Sequence, residues 1–238
     1  MIDIHCHLLY GVDDGARSPK ESEAMLTIAK AQGIEKIILT PHYRKDFFPY
    51  SLKDIERSYF DVMEMAEEKG IEIYLGCEYH VDSEIVENLF EGRCLTLAGS
   101  YYVLCEYSTF GRYDFLKNSL EELTAAGFTP VIAHAERYEC FRKKPELLAD
   151  VRKMGSLIQI NADSVLGIEG APLKRFCKTV LKGGLADIIA SDSHGVRERQ
   201  CRLKECFDHV AKRYGEERAK KLFIHNPEKI IRASAEGR

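Results

Sequence analysis

The chain opens Met1-Ile2-Asp3-Ile4-His5-Cys6-His7. This heptapeptide reads as a buried strand that ends in two imidazoles. In an extended strand, residues i and i+2 point to one side, so His5 and His7 reach a common point while Cys6 faces away. Two imidazoles side by side are costly to bury without a partner, and a divalent ion is the partner that the spacing suits.

Six further apolar runs come after the opening one, giving expected strands at residues 2–5, 36–40, 71–75, 101–105, 130–133, 157–160 and 187–190. Several are continuous runs of Ile, Val, Leu or Tyr, as in strands covered on both faces. Helical patterns fill the gaps. Ser18-Pro19-Lys20-Glu21 reads as a capping box with Pro at the first helical position; Met25, Ile28 and Ala29 supply an apolar face, and Gly33 ends it. Ser51-Leu52-Lys53-Asp54 opens a second helix that carries Ile55, Tyr59, Val62 and Ala66 to Gly70. Further helices are expected at about 113–126, 145–154, 172–182, 198–214 and 216–223. Strands alternating with helices indicate a parallel sheet. No Pro/Gly/Ser-rich linker or repeat divides the chain, so residues 1–238 read as one domain. A doubly wound open sheet is the competing architecture.

The polar residues at the end of each run favour a barrel. The first run ends in His5 and His7, with Asp13-Asp14-Gly15 close behind. The second runs into His42, the third into Glu78 and the fourth into Glu106. The fifth reaches His134-Ala135-Glu136-Arg137, the sixth Asn161 and the seventh Asp192-Ser193-His194. All seven deliver polar side chains at the C-terminal strand ends, where a β/α barrel builds its active site. Asp192 and His194 are expected to repeat the i, i+2 arrangement of His5 and His7. Imidazole with carboxylate suits Zn, Mn, Fe or Mg, and so many candidates exceed what one ion needs. Alone, His42 reads more readily as a hydrogen-bonded structural residue than as a ligand. His80 lies two positions beyond Glu78 and is left outside the ligand set, and His209 and His225 read as structural.

Composition narrows the chemistry. Lys and Arg number 34 against 38 Asp and Glu, a net charge of −4, so nucleic acid is not a favoured partner. There is no apolar run of eighteen residues to cross a membrane and no basic, apolar leader at Met1, so the expected address is the cytoplasm. The eight cysteines are scattered, without a CxxC pair, and read as reduced core residues. None is followed by Arg six positions later, which disfavours a thiol nucleophile.

These motifs resemble the polymerase and histidinol phosphatase (PHP) superfamily, and within it the manganese-dependent protein-tyrosine phosphatases of bacterial capsule and exopolysaccharide operons. The resemblance rests on the opening heptapeptide, Val12-Asp13-Asp14-Gly15, the stretch Thr129-Pro130-Val131-Ile132-Ala133-His134-Ala135-Glu136-Arg137-Tyr138, Ile189-Ala190-Ser191-Asp192-Ser193-His194 and Phe223-Ile224-His225-Asn226-Pro227. It departs at Cys6, where a smaller polar residue is usual. The resemblance implies a distorted (β/α)7 TIM-like barrel and a centre of two or three divalent ions, Mn foremost with Fe, Zn or Mg as substitutes. The implied ligands are His5, His7, Asp14, His42, Glu78, Glu106, His134, Asp192 and His194. It also implies a phosphotyrosine-bearing partner, a bacterial tyrosine kinase, with Arg137 and a second arginine on the phosphate; Arg199 is the first choice and Arg197 the reserve.

The expected reaction is direct attack on phosphorus by hydroxide formed at the ions, whose charge brings the pKa of bound water to around 7, with no phosphoenzyme. Arg137 and Arg199, with Asp192 and His194, form the expected catalytic group. The loop His42-Tyr43-Arg44-Lys45-Asp46-Phe47-Phe48-Pro49-Tyr50 offers Arg44 and Phe47 as a grip on a phosphotyrosine ring, or else simply packs on the barrel rim. Histidinol-phosphate phosphatase, another PHP phosphatase or phosphodiesterase, a metal-dependent amidohydrolase and a non-catalytic metal- or kinase-binding barrel are the rival readings. An amidohydrolase generally needs a bridging lysine where this chain has Glu78 or Glu106.

Overall fold

The computed structural model describes residues 1–48 and 50–235. Pro49 of the aromatic loop and residues 236–238 of the expected domain lie outside the described residues. The strands are β1 (Ile2–Cys6), β2 (Lys36–Leu39), β3 (His42–Tyr43), β4 (Glu72–Leu75), β5 (Glu78–His80), β6 (Tyr102–Glu106), β7 (Thr129–Ile132), β8 (Leu157–Asn161) and β9 (Ile188–Ala190). The helices are α1 (Pro19–Ala31), α2 (Leu52–Glu68), α3 (Ile85–Phe90), α4 (Tyr113–Ala125), α5 (Glu139–Lys143), α6 (Leu147–Lys153), α7 (Ala162–Leu166), α8 (Ala171–Gly183), α9 (Leu203–Tyr214), α10 (Glu216–Lys220) and α11 (Asn226–Ala235).

The strands pair in the orders β1-β2-β4 and β3-β5-β6-β7-β8-β9, always parallel. The two sheets are joined by the chain itself. β2 reaches β3 through Thr40-Pro41, and β4 reaches β5 through Gly76-Cys77, with Gly76 N–H donating to Leu39 C=O (2.8 Å) and Glu78 N–H to Pro41 C=O (3.1 Å) across the break. Beyond β9 the backbone returns to β1: Asp192 N–H donates to His5 C=O (2.8 Å), and His7 N–H to Ser193 C=O (2.9 Å). Asp3, buried beneath this seam, accepts from the backbone N–H of Ser191 at 3.0 Å. The result is an α/β fold with a curled parallel sheet.

Alternation along the strands divides the core in two. Ile38, Leu104, Val131 and Ile188 point inward with Ile4, onto Leu97 and onto Ile230 and Ile231 of α11. Ile37, Leu39, Val103, Cys105, Ile158, Ile160 and Ile189 point outward to the helices. Each such buried Ile or Leu contributes roughly 1.5–3 kcal/mol. The inner plug is apolar, which leaves the other end of the curl for polar side chains. A register irregularity between Asp3 and Cys6 in the β1–β2 pairing lets Ile4 join the inner plug while Cys6 joins the helix-side core.

The sequence expectations need several corrections. The seven expected strands are present within a residue or two, but His42–Tyr43 and Glu78–His80 are additional strands, too short and too polar for periodicity to reveal. The expected helix at 198–214 begins only at Leu203; Arg199 has φ +46°, which a helix cannot accommodate. The helix expected at 216–223 is α10, followed by a π turn over Lys221–His225 that runs straight into α11. At the start of α1, Ser18 Oγ accepts from Glu21 N–H (3.3 Å). The Glu21 carboxylate, however, accepts from Arg17 N–H (3.0 Å), one residue before the partner that a capping box uses. All eight cysteines are free, and all but Cys140 are buried.

Candidate metal centre

Every proposed ligand lies at the C-terminal mouth of the curled sheet. His5 ends the regular part of β1 and His7 stands one residue past it. Their Nε2 atoms are 3.3 Å apart, as the i, i+2 spacing requires. Asp192 and His194 also converge here, but not as strand neighbours: β9 stops at Ala190, and Asp192 has φ +51°. His134 likewise has φ +31°. Left-handed backbone at two non-glycine residues is strained, and such strain persists where the surrounding structure over-determines a side chain's direction.

Glu78 is the hub. Its Oε2 lies 3.2 Å from His5 Nε2, 3.3 Å from His7 Nε2 and 3.1 Å from His42 Nδ1, and its Oε1 lies 2.8 Å from His134 Nε2. Asp192 Oδ1 is 3.4 Å from His5 Nε2 and 3.6 Å from His7 Nε2. Asp14 Oδ1 is 3.4 Å from His42 Nε2 and 3.3 Å from His194 Nε2. Glu106 Oε1 approaches His134 Nε2 at 3.9 Å. Ligand bonds of about 2.0–2.2 Å around a tetrahedral ion put donor atoms about 3.4 Å apart. Most of these separations fit a shared ion better than a direct hydrogen bond. Three groups have metal-ligating spacing: His5, His7 and Asp192; His42, Glu78 and Glu106; and His7, Asp14, His42 and His194.

The outward ring nitrogens fix the orientation. His7 Nδ1–H donates to Asp13 Oδ2 (2.8 Å), His5 Nδ1–H to Gln159 Oε1 (3.1 Å) and His194 Nδ1–H to Asp192 C=O (3.0 Å). Each therefore turns Nε2 inward, the arrangement that orients an imidazole to ligate a metal once that nitrogen is free of its proton. His42 Nδ1, Glu78 Oε2 and His194 Nε2 are buried without a hydrogen-bond partner. Such orphans are costly unless something binds them. All three face the cluster, and their chemistry fits divalent ions.

Charge points the same way. Burial alone would raise the Glu78 carboxyl, but His5, His42 and His134 hold it well below the usual range. His5, Arg137, Arg199 and His194 do the same for the buried Asp192. Both carboxylates thus stay ionised, as ligands must be. Burial opposes a charge on His7, yet Asp13 and Glu78 outweigh it and raise the ring to about 10. At pH 7 an incoming ion must therefore displace that proton. Apparent metal affinity should climb with pH towards about 10, because protons compete below that value. Calorimetric titration at pH 7 in buffers of different ionisation enthalpy should detect at least one proton released; buffer-independent heats would refute the competition.

Two arginines close over one edge of the cluster. Arg137 Nη1 is 3.0 Å from Asp192 Oδ2, and its other arm reaches Glu169. Arg199 Nη2 donates to Asp192 Oδ1 at 2.9 Å, and its Nε is buried without a partner. Arg197 is exposed and lines the adjoining cleft with Arg199, without a contact to Asp192 of the kind Arg199 makes. In the 42–50 loop, Phe48 stacks on His42 with ring centroids 5.1 Å apart, Tyr43 and Tyr50 pack together inside, and Arg44 lies 3.9 Å over the exposed Phe47 ring. The sequence reading passed over Gln159, gave Asp13 no role of its own and left His80 outside the ligand set. Gln159 accepts from both His5 Nδ1–H and His134 N–H; its one signal was a lone amide inside the apolar run Leu157-Ile158-Gln159-Ile160. His80 Nδ1–H donates to Glu106 Oε2 at 2.9 Å.

A curled parallel α/β sheet with a His/carboxylate cluster over its C-terminal strand ends defines the class, that of metal-dependent hydrolases built on such a sheet. The profile described as "Capsular polysaccharide synthesis, CpsB/CapC" matches residues 1–232, and the chain belongs to the CpsB/CapC family. It is 34% identical over 238 residues to the tyrosine-protein phosphatase CpsB of Streptococcus pneumoniae, covering 97% of this chain and 98% of that one. It superposes with a TM-score of 0.92 on a solved structure described with YwqE from Bacillus subtilis and CpsB from Streptococcus pneumoniae as metal-dependent tyrosine phosphatases, at 30% identity, covering 98% of this chain and 95% of that one. A lactonase from Listeria monocytogenes, with a TM-score of 0.64 at 13% identity over 97% of this chain and 94% of that one, shares the fold alone.

Proposed function

We infer that the protein is a metal-dependent protein-tyrosine phosphatase acting on a phosphotyrosine-bearing protein, a bacterial tyrosine kinase that regulates capsule or exopolysaccharide synthesis. The observation that carries the reading is the convergence of Arg137 and Arg199 on opposite oxygens of Asp192, at the edge of a cluster of nine candidate ligand side chains. A dianionic phosphoryl group needs paired guanidinium donors beside cations. The family and its named relatives supply the tyrosine.

His5, His7 and Asp192, then His42, Glu78 and Glu106 with His134, then Asp14 and His194 with shared His7 and His42, would hold two or three divalent ions, manganese first and iron, zinc or magnesium as substitutes. Bound there, such ions supply Lewis acidity and make a water-derived nucleophile available at neutral pH. The chain's own groups do the rest. Arg137 and the orphaned Nε of Arg199 orient the phosphoryl oxygens and balance the charge spreading over them. Asp192 and Glu169 hold those guanidinium groups in place. A phenol of pKa about 10 leaves more easily than an alkoxide, so strong acid assistance at the leaving oxygen is unnecessary. Burial pushes thiols such as Cys6 and Cys77 up, which makes them poor nucleophiles. Arg44 and Phe47 form an exposed lip that suits a phosphotyrosine ring.

The architecture behind this reading is a single domain over residues 1–238, in which β2 with β3 and β4 with β5 are two interrupted strands of a distorted (β/α)7 barrel closed by the β9–β1 seam. A carboxylate, Glu78 or Glu106, where an amidohydrolase generally uses lysine, argues against that rival. The net charge of −4 argues against nucleic acid, and no helix among the described residues is long and apolar enough to cross a membrane. The test is a metal-supplemented assay of phosphotyrosine peptide, phosphoserine peptide, histidinol phosphate and a phosphodiester, with wild type and His5→Ala. Phosphotyrosine should be turned over fastest, and both chelation and His5→Ala should abolish turnover. Full activity after exhaustive chelation, or preference for histidinol phosphate, would overturn the proposal.

A further inference from the structure

We propose that the mouth carries, beside the metal centre, a pocket for an apolar side chain on a substrate residue flanking the phosphotyrosine. The proposal rests on the phosphotyrosine reading above and extends it from the phosphate to its sequence neighbours. The cavity measures about 260 Å³ and is walled by Val81, Tyr107, Phe115, Leu116 and Tyr138, with Arg112 among its walls. Val81 follows β5, Tyr107 follows β6 and Tyr138 lies just beyond β7. The pocket therefore stands among the strands and strand ends that carry Glu78, Glu106 and His134.

Cavity and centre share a partition. Tyr138 lines the pocket with its ring while its hydroxyl lies 3.3 Å from His134 Nδ1. Ser108, also in the wall, lies 3.4 Å from Nε2 of His80, whose other ring nitrogen holds Glu106. A group in the pocket is thus separated from the ligands by one side chain. The same segment leaves Phe110 77% and Phe115 47% exposed, and Phe115 lies edge-on to Tyr107 in the pocket wall, ring centroids 6.5 Å apart.

The occupant is a flanking side chain and not the phosphotyrosine ring. Arg137 and Arg199 converge on Asp192, at the β9 edge of the centre, whereas the pocket lies past Glu106 and His134 at the β5–β7 edge. A ring bonded to the phosphoryl oxygen stays close to that phosphate and does not reach across the centre. A neighbouring residue, about 3.8 Å along the chain from Cα to Cα, can extend there. The apolar walls favour aliphatic or aromatic side chains; Arg112 is exposed and already paired with Asp114 at 3.2 Å, so a carboxylate would give up its hydration for a cation that is taken and solvated. The cleft beside Asp14 and His194, about 750 Å³, is lined by Arg17, Arg197, Arg199, Glu21 and Glu198 with Val196 as its one large apolar side chain, and so offers an apolar group less to bury against.

The metal-supplemented full chain would be assayed with phosphotyrosine peptides carrying Leu, Ala or Asp at single positions from two before to two after the phosphotyrosine, alongside a nitrophenyl phosphate. At one position Leu should exceed Ala in kcat/KM by about tenfold, as burial of one apolar side chain allows, and Asp should fall below Ala. In Phe115→Asp the Leu-to-Ala ratio should drop to about one. That ratio is internal to each variant, so a general loss of activity or folded protein leaves it readable. Equal rates for Leu, Ala and Asp at every position overturn the pocket, as does a Leu preference that survives Phe115→Asp. Hydrolysis of the nitrophenyl ester with no turnover of any peptide overturns the phosphotyrosine reading itself, a separate failure.

Discussion

Glu78→Gln is expected to lower kcat/KM by at least about 10³-fold and to leave the protein depleted of metal. The reason is the number of partners that one carboxylate serves. Glu78 presents Oε2 to His5, His7 and His42 and Oε1 to His134, all within 3.3 Å. An amide is uncharged, keeps one weak acceptor and turns two N–H donors towards imidazoles that must offer lone pairs. Replacement also removes a charge that helps to raise His7, so the substitution reaches every group of the cluster. Elemental analysis after gel filtration, run beside the kinetic assay, checks both halves. A Glu78→Gln protein with wild-type metal content and activity within tenfold would mean that Glu78 is not a ligand, and the centre would have to be redrawn. Glu78→Asp keeps the charge and should lose less.

The second large effect is expected at Arg137. Arg137→Ala should lower kcat/KM by about 10²–10³-fold, the usual result of removing a donor aimed at charge that develops in the transition state, while leaving metal content unchanged. Arg137→Lys should recover little, because a point charge cannot reproduce a planar fork anchored on Asp192 and Glu169. Arg199→Ala should cost less, since that side chain is 38% exposed against 26% for Arg137 and solvent weakens its field. The split between metal binding and turnover separates this result from the one at Glu78. Arg137→Ala with kcat/KM within threefold of wild type would remove the arginine from the reaction, and a parallel loss of metal would recast it as structural support for Asp192.

Much of this centre was legible before any coordinates. His5 and His7 declare themselves because a strand has period two, and the donors at His42, Glu78, Glu106, His134 and Asp192 each come soon enough after an apolar run for the C-terminal mouth to be inferred. The shell behind them was not legible. Gln159 looks like an interruption of an apolar strand until the curl brings His5 and His134 to its two sides. Asp13 and Asp14 are adjacent and chemically alike, yet one accepts from His7 Nδ1–H and from His42 N–H while the other faces His42 and His194 across the cluster. Only the turn geometry separates them.

The sequence by itself determined the alternation of buried strands with helices, the end of the sheet that carries the chemistry, and the residue types that meet there. These follow from period, burial and side-chain donor chemistry, which are local properties. The tertiary structure decided which imidazoles share a carboxylate, that Arg199 turns inward while Arg197 faces solvent, and that an apolar pocket sits behind Tyr138. Those outcomes depend on closure of β9 against β1 and on left-handed backbone at His134, Asp192 and Arg199. Contacts between residues far apart in the chain impose both.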